Sequence, residues 1–319
     1  MHGASTLLSK QVLPARANVF ECATPEFVLV NCVSLISRFD PWRSGLCTCP
    51  PKLTFNPYTG CDHACTYCYA SSYVPRFSCC RPKKDLIQRL AREAGRLNGE
   101  TLSISNSSDP YPTVEAEAGL MRNCLGILSE HDCRVQIVTK SPLVMRDVDL
   151  LKRIPSMVSM TVTTDDDSVA GLIEPAAPLP STRLRAVEAL VEKGIPVSVR
   201  VDPVIPFVND DPGSLMRRLA SVGVRHVTSS TFKVRPDGWR RFSARLPEVA
   251  EKLWSLYFEE GVRKAGYLYL PEDLRLRLME TMGGLAGKLG MKFGTCRKGF
   301  SRLNTGVCDG SWLIESRIS

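Results

Sequence analysis

The chain has 319 residues, 44% hydrophobic and 23% charged, and its 41 Lys and Arg against 33 Asp and Glu give a net charge of +8. Such values exclude a disordered chain, allow one large core or two modest ones, and favour polyanionic partners. The 13 cysteines, an odd count with no secretory segment at the N-terminus, read as reduced thiols and metal ligands in a cytoplasmic protein.

Residues 1–50 read as an N-terminal extension carrying Cys47 and Cys49 in Leu-Cys-Thr-Cys-Pro-Pro. Its apolar run from Phe27 to Ile36 is interrupted by Asn31 and Ser34 and is too short to cross a bilayer, so no membrane is expected. From about residue 50 to 235, short β-branched runs alternate with helical patterns, which predicts parallel strands joined by crossover helices. The strands are expected over 53–58, 101–105, 134–139, 158–163, 196–201 and 225–234. The helices fall over 85–97, 115–129, 147–154, 181–193 and 212–221. Leu86, Leu90, Ala94 and Leu97 share one face of the first helix, and Leu120, Cys124 and Leu128 align on the second. The helix over 181–193 is expected to start at a Ser181 cap and to stop at Gly194. These units predict an α/β fold, a partial (β/α)6 barrel over 51–235, followed over 236–319 by a mostly helical extension with Cys296 and Cys308 in its tail.

The first strand runs into Asn56-Pro-Tyr-Thr-Gly-Cys-Asp-His-Ala-Cys-Thr-Tyr-Cys-Tyr69, where Cys61, Cys65 and Cys68 form a Cys-x3-Cys-x2-Cys run. Soft thiolates select iron-sulfur clusters, zinc or copper. A cubane held by three cysteines keeps one iron open, whereas structural zinc wants a fourth ligand that His63, between two of the cysteines, is poorly placed to give. Asn56, Pro57, Gly60 and Asp62 are turn-formers suited to folding the backbone around a metal.

In parallel α/β barrels the chemistry gathers at the C-terminal ends of the strands. Here those ends read Ser105-Asn-Ser-Ser-Asp-Pro-Tyr111, Thr139-Lys-Ser-Pro142, Thr161-Val-Thr-Thr-Asp165 and Arg200-Val-Asp-Pro203. Any one of these is an ordinary turn sequence. Repeated around one mouth, their hydroxyls, lysine and carboxylates suit a zwitterionic ligand that carries a ribose, with Lys140 opposite its carboxylate.

The cysteine run with Tyr67 before its last member resembles the radical S-adenosylmethionine (SAM) superfamily. Asn56-Pro-Tyr-Thr-Gly-Cys, Ser108-Asp-Pro-Tyr-Pro-Thr-Val-Glu115, Thr139-Lys-Ser-Pro142, Glu174-Pro-Ala-Ala-Pro-Leu-Pro with Arg183, and Asp202-Pro-Val-Ile-Pro206 extend the likeness to the branch related to spore photoproduct lyase. The resemblance implies that Cys61, Cys65 and Cys68 bind a 4Fe-4S cluster and that Tyr67 lies beside the adenine of SAM. It implies Ser107, Lys140 and Thr161 as SAM contacts, with Asp109, Glu174 and Asp202 as further ones. The activity implied is reductive cleavage of SAM to a 5'-deoxyadenosyl radical for hydrogen abstraction, in a lyase-like or other radical transformation. The electron would come from a donor such as a flavodoxin or ferredoxin.

A nucleic-acid base is the first expectation for the substrate. Arginine and aromatic side chains interleave from Phe232 to Phe242, as a stacking platform requires. One departure concerns the reaction: spore photoproduct lyase returns a hydrogen atom from a cysteine where this chain has Asn106, and an amide cannot do so. Cys124 falls inside a helix, and Cys79 and Cys80 are the nearer candidate donors, with packing as their ordinary role. Cys47, Cys49, Cys296 and Cys308 would complete an auxiliary cluster or zinc site if the two ends of the chain met. The competing reading is a zinc-stabilised nucleic-acid-binding module without catalysis. His2, His63, His131 and His226 are scattered and define no second catalytic centre.

Overall fold

The structure, a computed structural model, describes residues 34–39 and 46–318, so most of the expected extension over 1–50, with most of the Phe27 to Ile36 run, lies outside the described residues. The strands are β1 (Ser37–Arg38), β2 (Leu53–Phe55), β3 (Tyr58–Thr59), β4 (Arg81–Pro82), β5 (Glu100–Ile104), β6 (Cys133–Thr139), β7 (Ser156–Thr161), β8 (Val197–Val204), β9 (His226–Thr231), β10 (Val262–Lys264), β11 (Tyr267–Tyr269) and β12 (Lys292–Thr295). The helices are α1 (Leu86–Ala94), α2 (Glu115–Ala118), α3 (Leu120–Leu128), α4 (Val148–Arg153), α5 (Asp167–Ile173), α6 (Pro180–Glu192), α7 (Gly213–Ser221), α8 (Pro236–Arg245), α9 (Pro247–Phe258), α10 (Glu272–Lys288) and α11 (Trp312–Ile318).

One eight-stranded sheet, in the order β1-β2-β5-β6-β7-β8-β9-β12, carries the fold. All of its pairings are parallel except that of the edge strand β1 with β2. Buried β-branched and aliphatic side chains from β5 to β9, among them Ile104, Ile137, Val158, Val199 and Val227, pack against Leu90, Leu125, Leu151, Leu190 and Leu219 of the helices. Burial of this kind stabilises by roughly 25 cal/mol per Å2 of apolar surface, and it fixes which strand ends meet at one mouth. Among the described residues, no helix is long and apolar enough to cross a membrane.

Four departures from the expected elements bear on the fold. The strand over 53–58 stops at Phe55, and Tyr58–Thr59 pairs instead with Arg81–Pro82 in a separate two-stranded ladder. The helix over 115–129 breaks at Gly119, whose φ of 59° ends α2 before α3 begins. Ser181 does not cap α6: that helix begins at Pro180 after Leu179, and the Ser181 amide donates to Asp167 Oδ1 at 2.9 Å. The sheet also continues past 235, because Lys292–Thr295 pairs in parallel with His226–Ser229 and makes the C-terminal region more than a helical addition.

His226 on β9 is fully buried, its Nδ1 2.8 Å from Ser198 Oγ, and burial pushes its pKa down to about 4. A histidine is near 6.5 when unfolded, so the folded state favours the neutral ring. Its contribution is whole above pH 6.5 and is lost as the pH falls towards 4, at a cost on the order of 3 kcal/mol. Urea titrations between pH 7 and pH 4 should therefore show wild-type stability falling over that window, with a flatter profile for His226→Gln.

Candidate active site

The short β3–β4 ladder closes the base of the cysteine loop. Gly60 has φ +83°, and a Cβ there would lie 2.4 Å from Phe77 O, so only glycine fits beneath the loop. From that turn the Cys61 amide donates to Phe77 O at 2.8 Å. On the opposite side the Thr66 amide donates to Ile173 O at 2.9 Å, and His63 O accepts from the Ala176 amide at 3.2 Å. A third tether comes from α8: Arg241 donates to Cys68 O at 3.0 Å and to Ser71 Oγ at 2.8 Å, and Asp237 accepts from Ser71, Ser72 and Arg241. Burial opposes ionisation of Asp237, but those donors outweigh it and hold the carboxyl down at about 2.

Cys61, Cys65 and Cys68 all open onto a cavity of about 510 Å3. Burial is the leading cause that pushes all three thiols up, Cys65 to about 12. Without a cation among them they stay protonated; a metal centre supplies the positive charge that makes buried thiolates stable. The donor set therefore fits a thiophilic centre. The ligand atoms of Cys61, Asp62 and His63 lie within 4.8 Å of one another, nearer than the sequence suggests for His63. That group contains one thiol, and the imidazole is held with Nδ1 3.7 Å from Asp109 Oδ2.

Of the residues expected at the cofactor, Tyr67, Ser107, Asp109, Lys140, Thr161 and Asp202 line the cavity. Asp109 accepts from Thr139 Oγ1 and the Lys140 amide, both at 2.7 Å, and from the Tyr111 amide at 3.0 Å, which ties the end of β5 to the end of β6. Asp202 lies 2.6 Å from the Arg200 guanidinium and accepts from Ser230. Burial alone would raise this carboxyl, but Lys233 and Arg200 override it and hold it at about 2. Ser105 Oγ is buried at the cavity wall with no hydrogen-bond partner among the described residues, a polar atom available to a bound molecule.

Glu174 stands behind this wall, not on it. Its fully buried carboxylate pairs with Arg183 at 2.6 Å and with Lys140 at 3.9 Å, and it accepts from the Tyr67 hydroxyl. Burial would raise its pKa, yet Arg183 and Lys140 lower it. Cys79 and Cys80 do not line the cavity either. Asn106 does line it, with its amide donating to Thr54 Oγ1 at 2.8 Å and accepting from Ser103 Oγ at 3.2 Å. In the expected stacking segment, Phe232 and Phe242 are core residues grouped with Tyr257 and Leu253, Phe232 also lines the cavity, and Trp239 is half-buried.

Sequence reasoning missed the Asp237–Arg241 tether and the cavity positions of Lys233 and Cys296. An i, i+4 acid–base pair just after the sixth strand is the signal that could have found the tether.

Residues 55–220 match the radical SAM superfamily, and the chain belongs to it. It is therefore a radical SAM enzyme; membership implies SAM, an iron-sulfur cluster and a reductant, and sets aside the non-catalytic reading. An uncharacterised protein of Mycobacterium tuberculosis is 28% identical over 262 residues, 75% of each chain. A protein of Pseudomonas phage M6 named radical SAM Nalpha-GlyT isomerase is 28% identical over 180 residues, 53% of this chain and 36% of its own. Spore photoproduct lyase, solved as a variant with AdoMet and dinucleoside spore photoproduct bound, has the same fold with a TM-score of 0.62 at 15% identity, covering 76% of this chain and 75% of that one.

Removing the charge of Glu174 leaves Arg183 and Lys140 facing each other in a buried site. Glu174→Gln should cost about 3–5 kcal/mol of unfolding free energy in urea titrations, against within about 0.5 kcal/mol for the exposed control Glu280→Gln.

Proposed function

We propose that Cys61, Cys65 and Cys68 hold a 4Fe-4S cluster with one iron left for SAM, and that the chain makes a radical for hydrogen abstraction from a nucleic-acid base. The observation that carries this reading is the opening of three thiols, with no fourth cysteine in their loop, onto a cavity of about 510 Å3 walled by polar strand ends. That volume lies within the roughly 300–1,000 Å3 of small-molecule sites. When bound, the cluster supplies the electron that cleaves SAM to a 5'-deoxyadenosyl radical.

The chain's own residues bind and orient. The Lys140 ammonium offers a positive charge for the SAM carboxylate, and Glu174 sets the position of Lys140 and Tyr67 from behind. Ser105, Ser107 and Thr161 present hydroxyls, while Asp202, ionised throughout the neutral range, offers an acceptor. Asp109 acts as a positioning residue because its oxygens are already occupied by Thr139, Tyr111 and Lys140.

A base as substrate is supported by the dinucleoside bound to the structural neighbour, by the net charge of +8, and by Arg200, Lys233 and Arg297 on the cavity wall. The amide at Asn106, satisfied by Thr54 and Ser103, argues against repair by the lyase's own hydrogen return. An isomerisation, as in the name of the phage relative, needs no thiol there. The electron donor would be a flavodoxin- or ferredoxin-type protein of the cytoplasm.

The test is anaerobic reconstitution with iron and sulfide, then dithionite and SAM, with 5'-deoxyadenosine as the readout. Wild type should form it and Cys65→Ala should lose at least about 100-fold, the scale of a missing essential group. A single-stranded oligonucleotide should accelerate wild type in a salt-sensitive way; an unchanged rate would point to a peptide or small-molecule substrate instead.

A further inference from the structure

Six lysines and arginines line the cavity against three aspartates, so its wall carries more positive charge than its carboxylates balance. Three of these cations are matched: Lys52 by Asp309 at 2.5 Å, Arg200 by Asp202 at 2.6 Å, and Lys140 by Glu174 behind the wall at 3.9 Å. Lys233 is different. Among the described residues it forms no salt bridge, and its ammonium donates to Ser230 Oγ at 2.9 Å. An ammonium has three donors, and the others are left for a molecule in the cavity.

The backbone at the ends of β8 and β9 builds this corner. Val201 pairs with Ser229 and Val204 with Thr231, so Asp202 and Pro203 stand opposite the single residue Ser230. Two residues against one is a bulge, a device that re-aims side chains at barrel rims. The Asp202 carboxylate accepts from Arg200 on one oxygen and from the Ser230 hydroxyl on the other, and Ser230 in turn accepts from Lys233. Arg200, Asp202, Ser230 and Lys233 are thus one connected run, with two cations to one carboxylate. Behind it the buried Lys298 donates to Thr231 O at 2.9 Å and to the Thr231 hydroxyl. Burial, followed by the neighbouring charges of Lys233 and Arg275, pushes the pKa of Lys298 well down. The field at this corner is positive.

We propose that Lys233, with Arg200 across Asp202 from it, binds a phosphate group of the substrate, which makes the substrate a nucleotide or a nucleotide strand and not a free base. A phosphate accepts from an ammonium as a point charge and from a guanidinium as a fork, and its negative charge answers the surplus on this wall. Lys140 stays available to the SAM carboxylate, since it comes from the end of β6, which β7 and β8 separate from β9. The assignment rests on the nucleic-acid reading of the substrate and not on the cluster.

The test is equilibrium binding to the reconstituted full chain, without dithionite, of two matched pairs of probes. One pair is the thymidine dinucleotide d(TpT) and its uncharged methylphosphonate analogue; the other is thymidine 5'-monophosphate and thymidine. Wild type should bind the charged member of at least one pair at least about tenfold more tightly than the uncharged member, the scale of one charge-assisted contact. A preference confined to d(TpT) identifies the phosphodiester of a strand, and one confined to the monophosphate identifies a free nucleotide. Lys233→Met should remove the preference while changing the affinity for the uncharged probes by less than about twofold. Lys233→Arg should keep the preference, Lys233→Gln gives a second neutral variant if the methionine one does not fold, and Lys288→Met, exposed on α10, should behave as wild type. Equal binding within both pairs by wild type, or a loss in Lys233→Met and Lys233→Gln that is the same for charged and uncharged probes, would overturn the proposal and leave the base reading in place. Binding of none of the four probes would overturn that reading and the proposal with it.

Discussion

A carboxylate buried as deeply as that of Glu174 must be neutralised, because an isolated charge in the interior costs several kcal/mol. The groups that neutralise it come from separate parts of the molecule: Tyr67 from the cysteine loop, Lys140 from the end of β6 and Arg183 from α6. One desolvated charge therefore registers the loop against the strand ends. The thiols at Cys65 and Cys68, on either side of Tyr67, inherit their position from it. The Asp237–Arg241 pair acts on the far side of the same loop, through Cys68 O and the two serines that follow.

With the loop fixed on both sides, the wall divides by chemistry. It offers cationic and hydroxyl groups in Lys140, Ser105 and Thr161, and an Arg200–Asp202 ion pair with Lys233. Against the effect of burial, Lys233 and Arg200 hold Asp202 ionised. A zwitterion with a ribose would find partners for each of its polar parts, and the remaining basic side chains suit a substrate that carries phosphate. The amide of Asn106 on this wall is satisfied by Thr54 and Ser103.

The local part of this arrangement was legible in the sequence. Three cysteines within eight residues are visible without tertiary information, and β-branched runs alternating with helical patterns pointed to the parallel strands β5 to β9. The polar strand ends followed from the fold. What escaped the sequence depends on distant pairing. Lys292–Thr295 has few β-branched residues and becomes a strand because β9 offers it a free edge. Glu174 was expected on the ligand, but it pairs with Arg183 at 2.6 Å behind the wall; the sequence motif named both residues without showing that they pair. Phe242 on α8 and Phe232 just after β9 interleave with arginines in sequence yet pack against each other, with Phe232 also against Tyr257 of α9. The meeting of Cys49 with Cys308, 3.4 Å apart, depends on residues 259 apart in sequence, and Cys296 instead hydrogen-bonds Arg200.

The central claim is that the cysteine loop leaves one metal coordination site open to the cavity. Electron paramagnetic resonance of the reconstituted, dithionite-reduced protein, recorded with and without SAM, tests it most directly. The account predicts a reduced-cluster signal whose shape changes when SAM is added and which is absent from Cys65→Ala. A signal identical with and without SAM would mean that every iron is already fully coordinated, and would contradict the account.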